Sequence, residues 1–170
     1  MRSVKPSRKL KNSFARSVRE RGLGMHRITC EKFVKATPET VFQVARDIQR
    51  YVKHMGNIES VKVIHDDGMT RITEWVAKLP MLERELHWLE KDVWDVTSLT
   101  CEFEMVEGDM DHYSGRWSFE RHGDGTLMKL TISYEYQVPL IGQLLQKLIE
   151  KVVRDNADSI LNAVKEASEK

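Results

Sequence analysis

Residues 128–164 read MKLTISYEYQVPLIGQLLQKLIEKVVRDNADSILNAV, and a change of period inside this stretch decides the fold. Up to Val138 the side chains alternate, with Met128, Leu130, Ile132, Tyr134 and Tyr136 on one side and Lys129, Thr131, Ser133 and Glu135 on the other. A period of two is that of a strand with one buried face. After Pro139 the apolar residues Leu140, Ile141, Leu144, Leu145, Leu148, Ile149, Val152, Val153, Ala157, Ile160, Leu161 and Val164 recur at helical spacing. About 26 helical residues at 1.5 Å each make a rod near 40 Å long, enough to cross a whole curved sheet and cover its apolar face.

Upstream, the period of two runs from Ile58 to Val138. Turn signals at Asp66-Asp67-Gly68, Pro80-Met81, around Asp92, at Glu107-Gly108-Asp109 and at Gly123-Asp124-Gly125 divide it into six strands. Short turns make consecutive strands antiparallel neighbours, and a correct register must bring apolar faces to the same side. A turn at Pro80-Met81 sets Trp75 opposite Leu86, Thr73 opposite Trp88, Arg71 opposite Glu90 and Arg84 opposite Ala77. A turn around Asp124 sets Phe119 opposite Leu130, Trp117 opposite Ile132, Gly115 opposite Tyr134 and Tyr113 opposite Tyr136. Both registers keep the apolar faces together.

Before this region His26 to Lys35 has strand-like content. Thr37-Pro38-Glu39 then supplies an N-cap, a proline for the first helical position and an acid for the first turn. Val41, Phe42, Ala45, Ile48 and Val52 carry an apolar face to about Met55, as two short helices bending near Asp47. The expected fold is α+β and helix-grip: a seven-stranded curved antiparallel sheet wrapped around a long C-terminal helix, with two short helices after strand one.

With this plan the sequence resembles the START-like superfamily, which holds lipid-binding, coenzyme Q-binding and polyketide cyclase/dehydrase domains. The resemblance spans roughly residues 26–166 and rests on Ala36-Thr37-Pro38-Glu39-Thr40-Val41-Phe42, on Asp47-Ile48 followed by Tyr51, on Gly115 with Trp117 and Phe119, and on Gly125-Thr126. Two branches are closest: the coenzyme Q-binding and ribosome-association branch, and the bacterial aromatase/cyclases that fold poly-β-ketone chains. Tyr51-Val52 stands where the first branch has Tyr-Pro. The resemblance implies a hydrophobic ligand and no cofactor.

A chain of 170 residues, 41% hydrophobic and 31% charged, is one globular domain with room for a tail. No run approaches the roughly 18 consecutive apolar residues of a spanning helix. Cys30 and Cys101 are too few and too far apart for a disulfide framework or a Cys-x-x-Cys zinc set, and read as buried thiols in a reducing, cytoplasmic setting.

The net charge of +1 conceals an asymmetry: residues 1–24 hold eight Lys or Arg and one acid, Glu20, leaving 19 basic and 25 acidic residues elsewhere. We divide the chain into a basic arm, 1–24, and a helix-grip domain, 25–170. Within the arm Leu10, Phe14 and Val18 recur every four residues among basic ones, an amphipathic pattern. It reads as a solvated tail, as a contact for a membrane surface, nucleic acid or the ribosome, or as a transit peptide with a mitochondrial address. Met25 also offers an internal start.

A curved sheet closed by one helix leaves a gap that side chains fill or a ligand occupies; ligand pockets run to roughly 300–1,000 Å³. Trp75, Arg84, Leu86, Trp88, Phe103, Met105, Tyr113, Gly115, Trp117, Tyr134, Leu144 and Leu148 are the expected ligand-binding set, and the competing reading is that the aromatic members are simply core. Mid-strand Gly115 marks a bend or a close backbone approach. Arg84 could orient a ligand carbonyl or enolate, whereas Arg71 is expected in a cross-strand pair with Glu90. Arg84 and Tyr113 are the catalytic candidates. Asp109, Asp111 and His112 resemble metal ligands but alternate faces near a turn, so no metal is expected.

Three functions follow: a carrier, chaperone or sensor for a hydrophobic small molecule such as a lipid, quinone or polyketide; a polyketide cyclase; and a macromolecular interaction module acting through the arm.

Overall fold

The computed structural model describes residues 24–79, 83–136 and 143–170; the arm, but for Gly24, lies outside them. Strand β1 (His26–Val34) leads into α1 (Pro38–Ala45), α2 (Ile48–Tyr51) and a 3-10 turn (Val52–His54). Strands β2 (Ile58–Asp66), β3 (Thr70–Leu79), β4 (Arg84–Asp95), β5 (Thr100–Gly108), β6 (His112–His122) and β7 (Gly125–Glu135) follow, then helix α3 (Gln143–Ser168). All seven strands form one antiparallel sheet ordered β1-β7-β6-β5-β4-β3-β2. This is the helix-grip plan expected from the sequence.

Local chemistry sets the entry to α1. Thr37 is extended and its side chain accepts the Thr40 N–H at 3.3 Å, while Pro38 occupies the first turn. The chain bends at Asp47 as expected, and Tyr51 folds the second helix back by donating its hydroxyl to the Val44 carbonyl at 2.8 Å. Thr126 ties β7 to this corner through a 2.7 Å bond to the Ala36 carbonyl.

Both long hairpins pair two residues away from the expected register, in opposite senses. Residues 80–83 separate Leu79 from Arg84, a longer connection than Pro80-Met81 alone, so Trp75 faces Trp88, Thr73 faces Glu90, Arg71 faces Asp92 and Arg84 faces Leu79. At the other hairpin only Gly123 and Asp124 separate His122 from Gly125, so Phe119 faces Met128, Trp117 faces Leu130, Gly115 faces Ile132 and Tyr113 faces Tyr134. Gly123 takes the left-handed conformation there, φ 59°. Side chains alternate with a period of two, so a two-residue slip changes partners but not faces.

The turn expected around Asp92 lies instead at residues 96–99, where Asp95 accepts the N–H groups of Thr97 at 2.8 Å and Ser98 at 3.2 Å. Asp92 is therefore inside a strand, and its face is buried.

Two clusters make the interior. In the larger, Phe42 sets its edge against Trp94 and Phe119, and α3 contributes Ile149, Ala157, Ile160, Leu161 and Val164. The smaller holds Ala77, Leu79, Leu86 and the stacked Trp75 and Trp88 rings, 5.5 Å apart. The α3 residues fix the helix phase. At 3.6 residues per turn, Leu148 and Leu144 then lie about 155° and 165° from the centre of the buried face. They are 39% and 74% exposed, where the apolar stripe had placed them against the sheet.

A candidate ligand cavity between sheet and helix

Where the two clusters fail to close on each other, a cavity of about 130 Å³ remains between sheet and helix. Its sheet wall is Trp75, Ala77 and Leu79 from β3, Leu86, Trp88 and Glu90 from β4, Phe103 from β5, Tyr113 and Trp117 from β6, and Leu130, Ile132 and Tyr134 from β7. Helix α3 closes it with Ile149, Val152, Val153, Asn156, Ala157 and Ile160, and Ile48, Met55, Ile58, Met110 and Tyr136 complete the lining. The volume is below the 300–1,000 Å³ range and suits one ring rather than a long lipid.

Of the expected ligand-binding residues, Trp75, Leu86, Trp88, Phe103, Tyr113, Trp117 and Tyr134 line this cavity and Arg84, Met105, Gly115, Leu144 and Leu148 do not. Arg84 is exposed at the first position of β4. Met105 packs at the margin of the smaller cluster. Gly115 makes room within the sheet instead, since a Cβ there would lie 2.2 Å from Phe103 Cζ and 2.3 Å from the Thr131 carbonyl oxygen. Its missing side chain is the space that the Phe103 ring occupies, beside Tyr113 at 5.6 Å. Each ring candidate packs within one of the two clusters and also lines the cavity.

The sequence reading gave Glu90 to an ion pair with Arg71 and Asp92 to a turn, and did not bring the two acids together. Glu90 and Asp92 are each 7% exposed, on the same face of β4, and Glu90 lines the cavity. A charged carboxylate is costly to bury without a partner. Burial pushes the Glu90 carboxyl well up, and the neighbouring Asp92 charge pushes it the same way. Burial likewise raises Asp92 to about 6, opposed by its hydrogen bond with Glu90 and by the Arg71 charge. Burial thus favours the protonated form of both acids, and of Glu90 more strongly. Trp88 Nε1 donates to Glu90 Oε2 at 3.4 Å, and Thr73 joins the group by donating to the Glu90 carbonyl and accepting from Trp75 Nε1 at 2.9 Å.

Arg71 does not pair with Glu90. Its Nε donates to Asp66 Oδ2 at 2.8 Å, another nitrogen donates to the Arg46 carbonyl, and its guanidinium lies 6.0 Å from the Trp94 ring. Tyr113 is driven well up by burial and by Glu90 and Asp92, and Tyr134 to about 12 by burial and the Glu150 charge. Both are neutral phenols. The hydroxyls of Tyr134 and Tyr136 are buried without a hydrogen-bond partner among the described residues. Burial holds the Cys30 and Cys101 thiols protonated. No group of three metal-ligating side chains occurs among the described residues; Asp109 accepts the His87 N–H at 2.8 Å and His112 bonds Ser114. No helix among them is long and apolar enough to cross a membrane.

A family model described as "Polyketide cyclase / dehydrase and lipid transport" matches residues 34–161. Among solved structures, TTHA0849 from Thermus thermophilus is 33% identical, covering 84% of this chain and 97% of that one with a TM-score of 0.76. The Zhui aromatase/cyclase from Streptomyces sp. R1128 is 18% identical over 86% and 94%, TM-score 0.74, and a START superfamily protein from Mycobacterium smegmatis is 18% identical over 84% and 98%, TM-score 0.62. The last two show a shared fold. No curated protein sequence matches the chain.

Proposed function

The chain belongs to the polyketide cyclase/dehydrase and lipid transport family, and from that premise we propose that its cavity receives a hydrophobic small molecule, with the protein acting as that molecule's carrier, chaperone or sensor. The observation that carries this reading is the cavity itself: about 130 Å³ walled by rings and aliphatic side chains around one carboxyl. Enclosing a single ring buries roughly 200 Å² of apolar surface, a gain of about 5 kcal/mol at 25 cal/mol/Å², from which association costs subtract. Larger ligands, a quinone or a polycyclic ketone, require the walls to part.

One observation favours cyclase chemistry as the second reading. Glu90 and Tyr113 place proton-bearing groups in an apolar chamber, where they would act on an enol or enolate more strongly than in water. Arg84 lies outside that chamber and takes no part in this version.

Native mass spectrometry of the freshly purified full-length chain, followed by organic extraction, tests the binding reading. A stoichiometric hydrophobic molecule is the expected result. A clean unliganded mass, joined by failure of a panel of lipids, quinones and aromatic polyketides to bind, would overturn it.

A further inference from the structure

We propose that Glu90 anchors the polar end of a neutral, single-ring ligand by accepting a hydrogen bond from its phenolic or enolic hydroxyl. The inference rests on the binding reading above and specifies the class of molecule bound.

Size comes first. The cavity of about 130 Å³ is close to that of an engineered cavity of about 150 Å³ known to take benzene. Its walls include the stacked Trp75 and Trp88, with Tyr113 5.9 Å from Trp88. These faces suit a flat aromatic ligand.

Polarity comes second. Glu90 is the one carboxyl among the described lining residues. Glu90 lines the cavity, and a carboxyl keeps lone pairs that accept a hydrogen bond whether or not it carries its proton. Trp88 Nε1, at 3.4 Å, uses that acceptor capacity only weakly. The complementary ligand group is a donor, and a phenol or enol donates more strongly than an alcohol.

Charge comes third. The groups facing the acid pair are Arg71 across β3, with Asp66 and Arg46 beyond it, and the neutral Cys101 and Tyr113. Arg46 and Arg71 balance Asp66 and Asp92, leaving Glu90 neutral and no charge in excess for a cationic ligand. Independently, the hydroxyls of Tyr134 and Tyr136, both lining residues, are buried with no hydrogen-bond partner among the described residues and point to a molecule that brings its own oxygen.

The test titrates the full-length protein with p-cresol, 4-methylanisole and toluene, three probes of similar shape of which only the first donates a hydrogen bond. Binding is read from the tryptophan Nε1–H signals by NMR. The expected result is that p-cresol binds about tenfold tighter than 4-methylanisole, that Glu90→Leu removes this preference while toluene still binds, and that Glu90→Gln, whose amide oxygen accepts, keeps most of it. Equal affinities for p-cresol and 4-methylanisole in the native protein would overturn the proposal while leaving the binding reading intact, and this comparison needs no variant to fold. A preference that survives Glu90→Leu would also overturn it. Failure of all three probes would overturn the binding reading and this inference together.

Discussion

Glu90 and Asp92, two positions apart on β4, lie on the covered face of the sheet, one at the cavity wall and the other opposite Arg71. The arrangement separates roles along one strand. The Arg71 charge favours an ionised Asp92, and burial in apolar surroundings favours the protonated form of Glu90. Polar groups so buried are costly unless satisfied, and satisfied they fix a single geometry.

The pair makes stability depend on pH in a stated direction. Asp92 holds its proton up to about 6, above its ordinary 3.8, so the proton favours the folded state. That contribution is complete below about pH 4 and is lost as pH rises through about 6, with Glu90 extending the loss to higher pH. The lowered Asp66 and Asp67 act oppositely, losing their contribution as pH falls through their folded values. Asp92→Asn should therefore have a melting temperature that declines less between about pH 4.5 and 7 than that of the native protein. Parallel curves in a thermal scan across this range would contradict the assignment.

Gly115→Ala should destabilise by about 1–3 kcal/mol, because the new Cβ meets Phe103 and the Thr131 backbone, and the backbone cannot yield as a side-chain tip can. Gly56→Ala, with nothing within 4 Å, should change stability by about 0.5 kcal/mol or less. Urea unfolding of the two variants makes the comparison.

Ala77→Met extends a side chain from β3 into the cavity without removing any packed atom. The expected outcome is an unchanged or raised melting temperature together with loss of toluene binding. A variant that folds and still binds as the native protein does would place the ligand elsewhere.

Thr37→Ala removes the side chain that accepts the Thr40 N–H at the start of α1 and should cost about 1 kcal/mol by chemical denaturation, with ligand affinity unchanged.

Faces were legible in the sequence and partners were not. Alternation along β3, β4, β6 and β7 carries through any even slip, so Trp75, Leu86, Trp88, Trp117 and Tyr134 fell inside although both hairpins paired two residues from the expected register. Loop lengths set the register, and Pro80-Met81 and Gly123-Asp124-Gly125 left those lengths open. The acids were misread because Asp92 carries a turn-forming side chain. Yet a period of two from Leu86 through Trp88 to Trp94 already puts Glu90 and Asp92 on the inner face. Leu144 and Leu148 were misplaced for a different reason: the apolar stripe of α3 is wider than the surface it covers, and only the packed residues Ile149, Ile160 and Val164 reveal its phase.

The central claim is that a hydrophobic molecule enters the space between sheet and helix. Isotope-filtered NMR of the full-length protein with labelled toluene tests it most directly. Through-space contacts are expected from the toluene ring to the Trp75 and Trp88 indoles on one side and to Val152 on the other. Contacts confined to the exposed Leu144 and Leu148, or none at saturating toluene, would contradict it.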